Sequence, residues 1–281
     1  MGIDAEQVLW SELAGRGVSH VRAISDNDIV DLVSRYALWI PLDTFSAAPW
    51  IAPFAVRKVR IRTDPRAPGP RRDLWGMPDE DGYFTDDNSL IKPVVQRLNT
   101  SSSSPYKGSQ VTRGLVCCHL WPSTTTDPLL FSFIPNLAWV PKSLASYTDA
   151  HMQGPPHRAH YALRSAARAR YEALIPLVGQ ERVRRAWQAL PADLQTNGHD
   201  NTNHEVLAGR KISDLATKRV GRMISFLEAT LDGTAPLPNR FSKRYHAGVG
   251  PRIDRSVWPV QEAVSVEARE RLLADLRACI T

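Results

Sequence analysis

Apolar side chains recur every three to four residues in both terminal thirds of the chain, a spacing that is typical of helices with one buried side. The helices predicted from this spacing cover residues 4–13, a segment from a cap at Ser25 or Asp26 to Trp39, 158–177, 180–190, 205–231 and 265–279. In the long helix 205–231 the apolar side is formed by Leu207, Ile212, Leu215, Val220, Ile224, Phe226 and Leu227. Outside its centre, the chain is therefore predicted to be mainly helical.

The centre of the chain has a different pattern, in which short apolar runs are separated by turn residues. Residues 115–120 predict a buried strand, Pro122 and the STTTD after it predict a turn, and residues 129–134 predict a second strand. Pro135 and Asn136 favour the start of a helix at that point. Together these segments predict an α+β fold, with a small strand–loop–strand–helix element embedded in a mainly helical protein that has a few additional strands.

Three segments between these elements lack a helical pattern. Residues 54–62 mix Val and Ile with Arg and Lys and predict a strand, which is either an edge strand protected by its charges or a contact with DNA. Residues 63–82 are rich in proline and predict a linker or a surface arm, and residues 99–110 predict a mobile loop of low complexity. The domains predicted from these breaks, unless the chain forms one continuous domain, are 1–98, 111–152 and 157–281.

The bulk composition excludes several classes of protein. The chain has 281 residues and is 43% hydrophobic, which is enough for a buried core and argues against disorder. No apolar run reaches the roughly 18 residues of a membrane span, and the first residues lack a secretory signal pattern. Cys117, Cys118 and Cys279 form an odd set without a CxxC pair, which favours a reducing compartment. A soluble protein of the cytoplasm is therefore predicted.

The charge balance favours a polyanionic partner. The formal net charge is +6, and arginine, whose planar guanidinium suits phosphate, is far commoner than lysine. An arginine-rich chain from a GC-rich genome has the same composition, so charge alone does not identify the partner. Basic and aromatic residues alternate within 236–255, as in a groove that contacts phosphates and bases or as in a solvated loop. The residues predicted to contact nucleic acid are Lys142, Arg240, Lys243, Arg244 and Tyr245.

One central segment carries residues typical of phosphodiester chemistry. His119 ends the first central strand and is followed by Leu-Trp-Pro, Asn136 comes after the second apolar run, and Asp149 lies further on. In this order of residues the segment resembles the HNH, or ββα-metal, endonuclease family. The resemblance implies a ββα-metal-like core, and it implies that the protein is a DNA endonuclease, of restriction type or dependent on DNA modification.

The same resemblance implies a role for each of these residues. His119 would be the general base that takes a proton from water, and Asn136 would orient His119 or help to hold the metal. The implied metal ligands are Cys118, Asn136 and Asp149, with His151 or His157 as alternatives to Asp149. The implied cofactor is one divalent ion, Mg²⁺ or Mn²⁺, with Zn²⁺ better suited to a thiolate. The family also implies a homodimer on DNA, in which each core cuts one strand.

Two positions depart from the family's pattern and define the alternatives. Ala145 stands where the family has a further histidine, and Cys118 stands where it often has an aspartate. The first alternative is therefore a non-catalytic nucleic-acid-binding protein built on a nuclease core that has lost its metal. The second is an enzyme with Cys118 as nucleophile and His119 as base, although adjacent residues of a strand point to opposite faces.

Acidic residues and histidines elsewhere form further candidates. Between 199 and 205, two histidines, an aspartate and a glutamate form either a zinc site or a loop that ends in a helix cap. His157 and His160 lie one helical turn apart and either contact phosphate or are simply solvated. The acids at 86–87, followed by Lys92, either hold magnesium or cap a helix.

Overall fold

In a computed structural model of the chain, the described residues are 2–15, 24–57, 83–85, 91–96, 98–148, 157–192, 204–207, 209–233 and 265–279. Their α-helices are α1 (Ala5–Gly15), α2 (Asp26–Tyr36), α3 (Leu42–Ala47), α4 (Arg158–Tyr171), α5 (Ile175–Val178), α6 (Glu181–Ala189), α7 (Gly209–Leu231) and α8 (Val266–Arg277). Their β-strands are β1 (Gly2–Asp4), β2 (Leu38–Trp39), β3 (Ala55–Val56), β4 (Phe84–Thr85), β5 (Asn99–Thr100), β6 (Gln110–Arg113), β7 (Leu115–His119), β8 (Leu137–Pro141) and β9 (His204–Leu207). The predicted α+β class is confirmed.

The chain divides into two compact units, and each unit draws on three separate stretches of sequence. The first unit contains Met1–Pro49, Lys92–Thr124 and Phe133–Ser213. The second unit contains Trp50–Ile91, Thr125–Ser132 and Asp214–Thr281. The division into domains 1–98, 111–152 and 157–281 rests on the sequence alone and stays a prediction.

The first unit is built on a mixed sheet of seven strands in the order β1-β6-β5-β9-β2-β8-β7. β7 and β8 are antiparallel neighbours over their whole length, and β8 also pairs with β2. β2 is parallel to β9, which continues the sheet through β5 and β6 to β1. Large buried aromatic side chains fill the core of this unit: Tyr36, Trp39, Phe45, Tyr106, Trp121, Phe133, Trp139 and Tyr171.

α2 begins at the predicted cap but ends earlier than predicted. Ser25 caps the helix, because its Oγ accepts a hydrogen bond from the N–H of Asp28 at 3.2 Å and the Asp28 carboxylate accepts one from the N–H of Ser25 at 2.9 Å. The helix ends at Tyr36 instead of Trp39. The reason is that Leu38 and Trp39 form β2, whose backbone pairs with β8 and β9.

The central segment departs from its prediction after the first strand. β7 confirms that strand, but residues 129–134 form turns and the start of a 3-10 helix instead of a second strand. Asp127 Oδ1 accepts a hydrogen bond from the N–H of Leu129 at 2.7 Å, which bends the chain at that point. The second strand is β8, in the place predicted to be helical, and a 3-10 helix over Lys142–Tyr147 follows it. Two neighbouring apolar runs look alike by periodicity, and pairing with β2 and β7 selects the later one.

Long-range pairing also changes two other predictions. The helix predicted from residue 205 begins at Gly209, because His204–Leu207 are taken into the sheet as β9. The loop predicted over 99–110 contributes β5, and its Tyr106 is buried, with the hydroxyl donating to the carbonyl of Tyr36 at 3.0 Å. By contrast, α1, α4, α6 and α8 confirm the helices predicted at those places, with α4 continuing through a 3-10 turn into α5.

The second unit contains the β3–β4 pair, α8 and most of α7. β3 confirms the start of the strand predicted at 54–62. In α7 the buried Arg219 donates to the carbonyl of Ile51 at 3.3 Å, and in α8 the buried Arg269 donates to the carbonyl of Thr230 at 2.7 Å. Each of these two buried arginines therefore has a backbone carbonyl as a hydrogen-bond acceptor.

Several predictions fall outside the described residues. They are the end of the strand at 58–62, the proline-rich segment 63–82, the cap at 86–87, the cluster from 199 to 203 and the basic stretch 236–255. Across the residues that the structure describes, no helix combines the length and the apolar composition that a membrane span requires.

Candidate functional site

His119 is the last residue of β7 and pairs with Leu137, the first residue of β8. Its side chain is buried, with the residue only 2% exposed. Because side chains alternate along a strand, Cys117 and His119 point to one face of the sheet and Cys118 points to the other. The predicted base therefore lies inside the protein and points away from the thiol that precedes it.

Asn136 ties together the two ends of the loop between β7 and β8. Its Oδ1 accepts a hydrogen bond from the N–H of Trp121 at 3.2 Å, and its Nδ2 donates to Thr124 Oγ1 at 2.9 Å. Its backbone carbonyl accepts a hydrogen bond from the N–H of Leu120 at 2.9 Å. With both amide atoms bonded inside the loop, Asn136 fixes the course of the chain directly after His119.

Two side chains of α4 contact the first residue of the loop after His119. The Nε of Arg164 donates to the carbonyl of Leu120 at 2.6 Å, and the Nε2 of His160 contacts the same oxygen. The contact with the Leu120 carbonyl requires the proton of His160 on Nε2, whereas the Nη2 of Arg164, 3.4 Å from the same nitrogen, is itself a donor. Both side chains are buried, which overturns the prediction that His160 contacts phosphate or solvent. α4 also packs against α2.

Arg168, one turn further along α4, lies between two indole rings. Its guanidinium carbon is 5.3 Å from the ring centre of Trp121 and 4.5 Å from that of Trp187. It also donates to the carbonyls of Leu190 at 3.2 Å and Pro191 at 3.1 Å. The Nε1 of Trp121 donates to the carbonyl of Pro191 as well, at 3.1 Å. These contacts fasten the end of α6 to the loop that follows His119.

The predicted metal ligands do not converge in the described residues. Cys118 is buried, and its Sγ lies 3.2 Å from Thr148 Oγ1, while the amide of Asn136 is bonded within the loop. Asp149 lies outside the described residues. In the part of the chain that the structure describes, no group of three or more His, Cys, Asp or Glu side chains is placed to hold a metal ion. Within the described residues, Cys118 and Asn136 therefore show no arrangement around the divalent metal that the resemblance implies.

Of the predicted nucleic-acid contacts, only Lys142 belongs to the described residues. Its side chain is exposed at the start of the 3-10 helix after β8, and its backbone N–H donates to the carbonyl of Gly114 at 2.9 Å. The same 3-10 helix is held by Glu6, whose carboxylate accepts a hydrogen bond from the N–H of Ser143 at 3.0 Å. The others, which lie outside the described residues, are Arg240, Lys243, Arg244 and Tyr245.

Two buried tyrosines of the first unit have a raised pKa. Burial raises the pKa of Tyr106 well above its usual value. Burial also raises the pKa of Tyr171, while the charge and hydrogen bond of Arg170 act in the opposite direction. The Tyr171 hydroxyl and Arg170 both donate to the carbonyl of Ile40, at 3.2 Å and 3.3 Å. Both phenols thus serve as neutral hydrogen-bond donors to the backbone.

No protein-family model, curated protein or solved structure matches the chain significantly. The resemblance to HNH endonucleases therefore rests on the residues themselves. Sequence reasoning named His160 only as a phosphate contact or a solvated residue, and it missed the contacts that His160, Arg164 and Arg168 make around the loop after His119. Their spacing of four residues was a signal that they share one side of a helix, but only the packing shows that this side faces inward.

Proposed function

We propose that the protein is a DNA endonuclease, of restriction type or dependent on DNA modification, in which His119 is the general base. The observation that supports this most is the β7–β8 pair, in which His119 ends one strand and is followed by a loop whose course Asn136 fixes. The amide of Asn136 is already engaged, so its proposed role is to position the loop and not to bind a metal ion.

In the proposed reaction, the imidazole of His119 takes a proton from a water molecule as the water oxygen attacks the phosphorus of a DNA phosphodiester. The new P–O bond forms while the bond from phosphorus to one sugar oxygen breaks. The sugar oxygen leaves with a proton taken from solvent. Asn136 acts on this step only through the loop, by keeping the chain after His119 in place. Dependence on Mg²⁺, Mn²⁺ or Zn²⁺ is a separate prediction, which is tested by adding each ion.

A second candidate is non-catalytic binding of nucleic acid on the same framework. A general base must reach water, and His119 is 2% exposed in the absence of DNA. Cys118 and Asn136 both use their polar atoms within the protein. These observations favour a core that serves as a scaffold, and the two candidates differ in whether DNA is cut after it is bound.

The proposal also covers assembly and location. The family resemblance implies a homodimer, in which each subunit cuts one strand, and light scattering with and without DNA tests this. A cytoplasmic site of action is proposed because Cys117, Cys118 and Cys279 form no disulfide, as is usual in a reducing compartment.

The experiment compares the wild-type protein with His119→Gln on mixed plasmid and genomic DNA, modified and unmodified, in the presence of Mg²⁺, Mn²⁺ or Zn²⁺. Because His119 is buried, circular dichroism and thermal unfolding establish that the variant is folded before its activity is compared. His157→Gln is the control for a histidine that caps α4 and has no part in the proposed reaction, and its folding is checked in the same way. Binding to the same DNA is measured in parallel.

The outcomes separate the two candidates and also allow both to be rejected. Cutting that depends on an added ion, lost in His119→Gln and kept in His157→Gln, supports the nuclease. Binding that weakens with salt in all three proteins, without cutting in any, supports the scaffold. If none of the three proteins binds or cuts DNA, both candidates are wrong.

A further inference from the structure

Positive charge in the first unit is concentrated in the segment from α4 to α6. Between Arg158 and Ala189 the chain has seven arginines against two glutamates. The net positive charge per residue in this segment is larger than the average for the whole chain, whose net charge is +6. A segment of this kind attracts polyanions if its guanidinium groups reach the surface.

The structure distinguishes buried, partly covered and exposed arginines in this segment. Arg164 and Arg170 are buried and donate to the carbonyls of Leu120 and Ile40, so they serve the fold. Arg168 is partly covered between its two indole rings. The exposed class on α6 consists of Arg184 and Arg185. α4 exposes Arg158, which donates to Asn27, whereas α6 exposes two arginines on one helix.

α6 has one outward side with a defined set of side chains. Val183, Ala186 and Leu190 are buried on its inner side. The outer side, which we call the α6 face, comprises Glu181, Arg184, Arg185 and Gln188, all exposed and spaced at i, i+3, i+4 and i+7. Glu181 pairs with Arg184 at 2.8 Å, but both are largely in solvent, and such a pair is easily exchanged for another anion.

Contacts at its C-terminal end anchor α6 to α4. Arg168 fixes the end of the helix through the carbonyls of Leu190 and Pro191, and its guanidinium stacks on Trp187. Before the helix, Gly179 takes a left-handed conformation with φ 70°, which ends α5. A helix anchored at its C-terminal end, with its polar side outward, is suited to dock into a groove with little reordering.

We infer that the α6 face enters the major groove of duplex DNA, with Arg184 and Arg185 contacting phosphates or guanine and Gln188 reading a base edge. The inference rests on the proposed function for its partner. The major groove admits an α-helix, and Arg and Gln are the side chains that pair bidentately with guanine and adenine there. The helix has 9 residues, which gives a length of about 13 Å, so it spans about four base pairs.

The test measures binding of a fluorescein-labelled duplex DNA pool with a randomised centre by fluorescence anisotropy over a salt series. We expect Arg184→Ala/Arg185→Ala to weaken binding about tenfold or more and to make the salt dependence shallower by about 1 to 2 in log–log slope. The matched control is Arg271→Ala/Arg277→Ala, which removes the same charge from the exposed side of α8 and is expected to bind like the wild type. Sequencing the bound pool for Gln188→Ala is expected to show relaxed preference at one position.

Double-stranded RNA of the same length tests the groove itself, because its major groove is too narrow for a helix. A loss on α6 substitution that is confined to DNA supports the inference. An equal loss on RNA and DNA shows that the arginines attract any polyanion and overturns it. If the wild type and the control bind DNA and the α6 variant binds equally well, the inference fails while the proposed function stands. If the wild type neither binds nor cuts DNA, the proposed function fails and this inference fails with it.

Discussion

The side-chain oxygen of Asn136 accepts a hydrogen bond from the backbone N–H of Trp121 at 3.2 Å. This contact joins the residue before β8 to the second residue after β7. It lies inside the first unit, where Asn136 is fully buried. The amide therefore helps to close the loop after His119 from a position without access to solvent.

Asn136→Ala is therefore expected to lower the free energy of unfolding by about 1–3 kcal/mol, because it leaves the N–H of Trp121 without its buried acceptor. Thermal or urea unfolding measures the loss. Asn27→Ala, at an exposed position of α2, is the control and is expected to change stability by about 0.5 kcal/mol or less. Equal stability of the two variants would contradict the role given to Asn136.

Arg164→Met is expected to destabilise the protein by about 1–3 kcal/mol, since it removes a buried donor from the carbonyl of Leu120 while keeping most of the side-chain volume. Arg185→Met, an exposed change of the same kind, is expected to stay within about 0.5 kcal/mol of the wild type. Urea unfolding of both variants checks this. The prediction is wrong if the exposed substitution costs as much as the buried one.

The cysteines are expected to differ in their reactivity with a thiol reagent. Cys117 and Cys118 are buried, whereas Cys279 is partly exposed. The thiolate is the reactive form and needs access to the reagent, so one thiol is expected to react quickly in the folded protein and the other two only on unfolding. A titration with Ellman's reagent measures this, and Cys279→Ser is expected to remove the fast phase. A fast phase that persists in Cys279→Ser would show that β7 is open to solvent.

Alkaline pH is expected to destabilise the first unit through Tyr106. Burial raises the pKa of Tyr106, so the phenol ionises less readily in the folded protein than in the unfolded chain. Its contribution to stability is therefore complete below about pH 10, the usual pKa of tyrosine, and is lost as the pH rises towards the folded pKa. Tyr106→Phe is expected to cost about 1 kcal/mol at neutral pH, through the lost bond to the carbonyl of Tyr36, and to make the alkaline decline shallower.

Unfolding curves over a pH series measure this effect, with Tyr147→Phe as the control because that ring is on the surface. Tyr171 also has a raised pKa, so some alkaline decline is expected to remain in Tyr106→Phe. If Tyr106→Phe and the wild type lose stability with pH in parallel, Tyr106 does not contribute to the alkaline decline.

Local interactions determined the parts of the fold that the sequence predicts correctly. Ser25 and Asp28 are three residues apart and cap α2 by themselves, so the start of that helix is visible in the sequence. The apolar positions of α6 and α8 repeat at helical spacing, and β7 is a compact apolar run. In each of these cases the residues that form the element also contain the information that specifies it.

Only the tertiary structure decided where the second central strand lies and which polar side chains face inward. Residues 129–134 and 137–141 are both apolar, and the pairing of β8 with β2, from a distant part of the chain, settles which of them joins the sheet. Likewise, the spacing of His160 and Arg164 placed them on one side of a helix but left open whether that side met water or the Leu120 carbonyl. Periodicity records which side chains share a face, whereas the partner of that face depends on contacts between distant segments, which a local pattern does not contain.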